Sequence, residues 1–203
     1  MTAIIVPYRG ATGKQRLAPT SELERFALSL AMLADVLHAC TPVGPTWLVT
    51  ADEEAEALAT RLEVRLVRDS GAGQGAAVAA GLSAAEPGAA LVVNADLPCA
   101  EPRDLLALLG ALPADGIALV RAADGTTNAL ALASSSLFLP LYGPGSERRF
   151  REHAARLGVE VTLADIPNLA GDVDTFADLE RLEARLGPST SAALAALQLE
   201  PVR

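Results

Sequence analysis

Residues 89–98 read AALVVNADLP, an apolar run that breaks at Asn94, Asp96 and Pro98. The small and β-branched residues from Ala90 to Val93 predict a strand buried on both faces of a parallel sheet. A carboxylate just past such a strand is costly unless something compensates it. In open α/β sheets, ligands gather beyond the carboxyl ends of the strands. Asp96 thus stands where a hard cation such as Mg²⁺ could be held together with nucleotide phosphates. The same spacing suits a helix N-cap ahead of Pro98 and Pro102. On spacing alone both readings stand.

Three further stretches bear on the choice. The loop at residues 7–19 gathers Arg9, Gly10, Gly13, Lys14 and Arg16, and Lys14 is the only lysine of the chain. Glycines and cations directly after a first strand offer backbone N–H groups and point charges to a phosphate. The loop is not a P-loop, which needs glycine in place of Tyr8 and Ser or Thr in place of Gln15. Residues 69–81, DSGAGQGAAVAAG, alternate Gly71, Gly73 and Gly75 before an alanine-rich helix. Such a loop lets backbone approach a ligand closely, although many connections in α/β proteins are glycine-rich. Residues 171–175, GDVDT, carry Asp172 and Asp174 ahead of a helix. Carboxylates from separate loops beside a basic cradle fit magnesium-dependent nucleotidyl transfer. That chemistry asks a protein to position groups and neutralise charge, with no nucleophilic serine or catalytic histidine.

These loops must be carried by regular elements, and the hydrophobic periodicity supplies them. Strands are expected at residues 3–6, 46–50, 64–67, 90–93, 117–121, 129–133 and 159–163. Ser21 and Glu24 form a capping box for a helix reaching Cys40, with His38 as a helix-end residue. Asp52 caps a helix to Arg61. Further helices are expected from Pro102 to about Leu112, from about Glu147 to Leu157 with Ser146 as cap, and from Phe176 to Leu186 behind Thr175. Alternation of strand and helix predicts one three-layer α/β/α domain over residues 1–187 with a mostly parallel sheet. Residues 188–203 are expected as a tail, partly disordered, whose apolar stretch 192–199 is either a partner surface or without a role, and a homodimer is a candidate assembly.

Composition bounds the partners. The 203 residues carry a formal charge of −9, so nucleic acid and acidic membranes are poor partners. No apolar run is of membrane-spanning length, and no basic leader region precedes residue 3. Cys40 and Cys99 lie far apart and outside any CxxC pair, as expected of reduced thiols in a cytoplasmic protein.

Across nearly its whole length the chain resembles the 2-phospho-L-lactate guanylyltransferase family of deazaflavin (coenzyme F-420) biosynthesis. The resemblance rests on VPYRGATGKQRLAP at 6–19, GAGQGAAVAAGL at 71–82, VVNADLPCAEPRDL at 92–105, GTTNAL at 125–130, GPGS at 143–146 and GDVDT at 171–175. It implies a nucleotidyltransferase fold of the glycosyltransferase-A kind, and transfer of GMP from GTP to a small phosphorylated three-carbon acid with release of pyrophosphate. The acid is phosphoenolpyruvate in actinobacterial members and 2-phospho-L-lactate in archaeal ones. Carried to this sequence, the resemblance assigns Arg9, Lys14 and Arg16 to the GTP phosphates, with Lys14 and Asp96 catalytic. It sets Gln74 and Gly75 near the nucleoside, and Asp96, Asp172 and Asp174 on Mg²⁺. It sets Thr127, Gly143 and Ser146 against the phosphoacid. The chain departs from the family at Tyr8 and Arg9, where lysines are common, and at Gln15, where serine is common.

Read from residues alone, Asp172 could cap the last helix, the glycines 143 and 145 form turns, and Ser146 caps a helix. Two other functions fit the same fold. One is nucleotidyl transfer to a sugar phosphate or the molybdenum cofactor, whose first loop is usually richer in glycine (LAGGxSxRMG). The other is a non-catalytic nucleotide-binding regulator. A dinucleotide oxidoreductase is excluded by the lack of GxGxxG after the first strand. Preference for arginine over lysine hints at a GC-rich genome and so favours phosphoenolpyruvate.

Overall fold

The computed structural model describes residues 1–10 and 21–199, and the side chains of Gln198 and Leu199 are outside that description. Lys14 and Arg16, together with most of the predicted phosphate loop, fall outside the described residues.

Among the described residues seven strands form one sheet: β1 (Ala3–Pro7), β2 (Thr46–Thr50), β3 (Arg65–Arg68), β4 (Ala90–Val93), β5 (Ile117–Arg121), β6 (Thr127–Leu132) and β7 (Val161–Leu163). Their order is β3-β2-β1-β4-β6-β5-β7. All neighbours are parallel except β6, which runs antiparallel to both β4 and β5. The expectation of a mostly parallel α/β sheet therefore holds, with one reversed strand. From β1 the chain winds outward through β2 and β3, then returns to add β4 on the other side of β1. The carboxyl ends of β1 and β4 flank this change of direction, where open α/β sheets bind ligands.

The helices are α1 (Glu22–Cys40), α2 (Glu53–Arg61), α3 (Gln74–Ala84), α4 (Pro102–Gly110), α5 (Ser146–Leu157), α6 (Pro167–Ala170), α7 (Phe176–Leu182) and α8 (Pro188–Leu199). Successive strand residues point to opposite faces, so β1 divides its side chains between two cores. Ile4 and Val6 pack with Leu33, Leu37, Leu91 and Val93 beneath α1 and α4. Ile5 packs with Val49, Val92, Leu119 and Phe150 on the side of α3 and α5. In α3, a Cβ at Gly81 would lie 2.5 Å from a methyl of Ile5, so glycine lets this helix lie directly on the sheet. At the β3 edge, the Arg65 guanidinium stacks 4.7 Å over the Trp47 ring.

The local caps follow the sequence. Ser21 and Glu24 close a capping box on α1, and Asp52 accepts from Ala55 N at 2.9 Å at the start of α2. His38 bonds its own helix backbone, the Ala34 carbonyl, at 2.7 Å. Cys40 and Cys99 are buried and free, and burial raises the pKa of each thiol.

The expected tail is helical over residues 188–199. Residues 188–199 form α8, which begins where buried Asp35 of α1 accepts from Ser189 N at 2.9 Å and Thr190 N at 2.8 Å. Its apolar residues turn inward: Leu194 is buried with Leu28, Met32, Val173 and Leu179, and Ala193 and Leu197 pack against them. Part of the stretch thus covers its own chain. Leu28 and Met32 on α1 offered the complementary apolar face, which no local pattern in residues 188–203 could announce. Among the described residues no helix is long and apolar enough to cross a membrane.

Candidate functional site

A cleft of about 430 Å³ opens at the carboxyl ends of β1 and β4. Pro7, Tyr8, Arg9 and Gly10 line it after β1, Asn94, Ala95 and Asp96 after β4, and Ser29, Gln74 and Asp174 complete it. Segments distant in sequence therefore share one concavity, which brings Arg9, Gln74, Asp96 and Asp174 together. Tyr8 is nearly buried, and burial pushes its hydroxyl up to about 12, so it stays protonated in the cleft floor. Arg9 is exposed at the rim.

Asp96 is not a helix cap. Glu101 is the N-cap of α4, closing a capping box with Asp104 and leaving Asp96 five residues upstream in the cleft wall. The backbone of Asp96 binds the opposite loop instead, its carbonyl accepting from Val173 N at 3.1 Å. Asp172 does not cap α7 either. Thr175 does so, in a capping box with Asp178, while Asp172 Oδ1 accepts from Asn128 Nδ2 at 3.2 Å. Burial raises the Asp172 pKa first, and the charges of Asp96 and Asp174 add to it, against the lowering hydrogen bond from Asn128.

The donor set is oxygen only and mutually repulsive, the kind of site a hard divalent cation relieves. Among the described residues no three His, Cys, Asp or Glu side chains stand together as a metal site. Asp96 and Asp174 line the cleft and Asp172 lies within reach of their charges. Mg²⁺ characteristically uses one or two carboxylates and takes its other oxygens from water and phosphate, so this set fits it.

The residues carried over for the acid cluster at the start of α5, and none of them lines the cleft. Ser146 is the first residue of α5 rather than its cap, because Gly145 takes the N-cap position in a left-handed conformation at φ 68°. Fully buried, the Ser146 hydroxyl donates to Thr127 Oγ1 at 3.2 Å. Its amide donates to the Gly143 carbonyl at 3.0 Å, closing the turn. Arg149 braces this turn by donating to the Tyr142 carbonyl at 3.0 Å. Gly75 has a packing reason of its own: a Cβ there would lie 2.6 Å from the Cβ of Pro140.

Sequence reasoning assigned no role to Asn94 or Asn128. Gln74 Nε2 donates to Asn94 Oδ1 at 2.7 Å, and Asn94 Nδ2 donates to the Thr127 carbonyl at 3.2 Å. The available signal was an asparagine at the end of one apolar strand, VVN, and at the start of another, TNALAL, where an amide shielded from water must find partners.

The family model for the MobA-like NTP transferase domain matches residues 28–161. A phosphoenolpyruvate guanylyltransferase of Streptomyces scabiei is 37% identical over 213 residues, covering 96% of each chain. A 2-phospho-L-lactate guanylyltransferase of Natrialba magadii is 36% identical over 193 residues, covering 87% of this chain and 80% of its own. A 3-phospho-D-glycerate guanylyltransferase of Phenylobacterium zucineum is 35% identical over 201 residues, covering 93% and 91%. Among solved structures, a Desulfovibrio desulfuricans G20 protein provisionally described as a nucleotide-diphospho-sugar transferase superposes with a TM-score of 0.77 at 18% identity, over 98% and 96% of the two chains. A nucleotidyl transferase of Methanothermobacter gives 0.64 at 19% identity, over 97% and 99%. These two establish the nucleotidyltransferase fold.

Proposed function

The chain belongs to the 2-phospho-L-lactate and phosphoenolpyruvate guanylyltransferase family, and we propose that it transfers GMP from GTP to phosphoenolpyruvate, releasing pyrophosphate. The observation that carries the reading is the single cleft in which Arg9, Asp96 and Asp174 meet at the change of strand direction. Six of the similar curated proteins are phosphoenolpyruvate guanylyltransferases, which favours that acid over the other two.

In the proposed reaction an oxygen of the acid's phosphate attacks the α-phosphorus of GTP in line with the leaving group. A new P–O–P bond forms, the bond from Pα to the bridging oxygen breaks, and that oxygen leaves with pyrophosphate. A phosphomonoester has its second pKa near 6, so the attacking oxygen is already ionised at neutral pH and no general base is required. Magnesium, held by Asp96 with Asp172 or Asp174, would supply charge neutralisation on the phosphates. Arg9 would hold the triphosphate from the rim, with Lys14 and Arg16 contributing from the segment outside the described residues. Gln74 and Gly75 would face the nucleoside. Thr127, Gly143 and Ser146 would shape the wall of the acid's seat. Both substrates are cytoplasmic metabolites, so the enzyme would work in the cytoplasm, and its product would feed deazaflavin coenzyme assembly.

The test is pyrophosphate release from GTP and Mg²⁺ with phosphoenolpyruvate, 2-phospho-L-lactate or 3-phosphoglycerate supplied singly. A deazaflavin acceptor and its transferase should be present to trap the product. Release dependent on phosphoenolpyruvate is expected. Release with another acid alone would replace the substrate, and silence with all three beside measurable GTP binding would overturn the reading.

A further inference from the structure

Amide side chains are ambiguous one at a time, but a chain of them is not when one end is fixed. The Thr127 carbonyl can only accept, so the atom of Asn94 that faces it at 3.2 Å must be Nδ2. Asn94 Oδ1 is then turned toward Gln74, and the atom of Gln74 that meets it at 2.7 Å must be Nε2. Gln74 lines the cleft. One of the two Nε2 N–H groups is spent on Asn94, which fixes which way the amide faces, and since no described residue donates to Oε1, Oε1 is the acceptor that Gln74 offers a ligand. We propose that Asn94 is a positioning residue that fixes the Gln74 amide, so that Oε1 selects a hydrogen-bond donor on the nucleoside of the nucleotide substrate.

Ligand chemistry narrows the donor. Ionised phosphates and carboxylates offer only acceptors at neutral pH, so Oε1 is repelled by the triphosphate and by the acid. The nucleoside is what remains, through a base N–H or a ribose hydroxyl. A base whose edge presents an acceptor at the same place would leave two lone pairs opposed, and a buried polar group without its partner is where binding sites discriminate most strongly. Asn94 itself is fixed at a second point, since its backbone N donates to the Asn128 carbonyl at 3.0 Å across the extension of β4 and β6. The amide is thereby held by the sheet and not by a loop, as pre-organised recognition requires.

This inference rests on the guanylyl-transfer reading, and the experiment separates the two. Affinities of GTP, ATP, inosine triphosphate and 2′-deoxy-GTP are measured by titration for the wild type, Gln74→Ala, Asn94→Leu, Asn94→Asp and the double variant Gln74→Ala/Asn94→Leu. The wild type is expected to favour GTP over one of the two analogues by about tenfold, with inosine triphosphate reporting on the base amino group and 2′-deoxy-GTP on the ribose. Gln74→Ala and Asn94→Leu should each erase most of that ratio, and the double variant should lose no more than either alone. Asn94→Asp still accepts from Gln74 Nε2, so it should keep the ratio while weakening all nucleotides together. If Asn94→Leu does not fold, the contrast between Asn94→Asp and Gln74→Ala decides the matter. A ratio untouched by Gln74→Ala, or additive losses in the double variant, would overturn this inference alone. A wild type that binds GTP no better than ATP would overturn both.

Discussion

The amide of Val173 donates to the carbonyl of Asp96 at 3.1 Å, and this bond fastens the loop after β4 to the loop ahead of α7. Both loops carry acidic side chains into one place, so the backbone contact fixes the spacing of groups that repel one another. Asn128 adds a second tie by donating to Asp172 at 3.2 Å.

Asp96→Asn should lower kcat by about a hundredfold or more, since it removes charge that a divalent cation would need at the reacting phosphates. Chelation of the wild type with EDTA should silence pyrophosphate release, and added Mg²⁺ should restore it. Near-normal turnover of Asp96→Asn at saturating Mg²⁺ would remove Asp96 from the metal site.

Ser146→Ala removes a fully buried hydroxyl that donates to Thr127 at 3.2 Å. The expected loss is about 1 kcal/mol of stability, together with a severalfold rise in KM for the acid and little change in KM for GTP. Initial rates with each substrate varied in turn measure both constants. A rise confined to GTP would move the acid away from the start of α5.

Asp35→Ala leaves the amides of Ser189 and Thr190 without their acceptor at the start of α8. Hydrogen bonds to a charged group are worth about 1.5–3 kcal/mol. For a chain of this size that lowers Tm by roughly 4–10 °C. A thermal melt followed by far-ultraviolet circular dichroism reads it, and an unchanged Tm would mean that α8 adds little to the fold.

Asp178 gives the fold an acid limit. Burial pushes its carboxyl up, but hydrogen bonds from the Thr175 hydroxyl, from Arg181 and from the backbone of Thr175 and Asp174 hold it below its ordinary 3.8. A folded-state pKa below the unfolded one makes the ionised form the stabilising one. That contribution is present in full above the unfolded value and is lost as pH falls through the folded value. Asp178→Asn should therefore lower the denaturant midpoint at pH 7, and the gap from wild type should close below about pH 4. A gap that stayed constant down to pH 2.5 would show that its charge has no part in holding the 171–175 loop.

Much of this protein is legible in its residues alone. Alternating apolar runs and capping residues act over a few positions, so all seven strands and the starts of α1 and α2 can be read locally. The same local reading misjudges Ser146, because it cannot see that Gly145 takes a left-handed conformation and moves the cap back by one residue. It leaves Asp96 and Asp172 divided between cap and site, and the fold removes the cap reading of both by giving the caps to Glu101 and Thr175. What local pattern does not encode is pairing at long separation. The reversal of β6, the bond from Asn128 to Asp172, the chain from Gln74 through Asn94 to Thr127 and the docking of α8 on Asp35 join segments from 20 to 155 residues apart. None of those pairings is signalled where its residues stand in the sequence. Their roles arise only when burial in a shared core forces every amide and carboxylate to find an opposite.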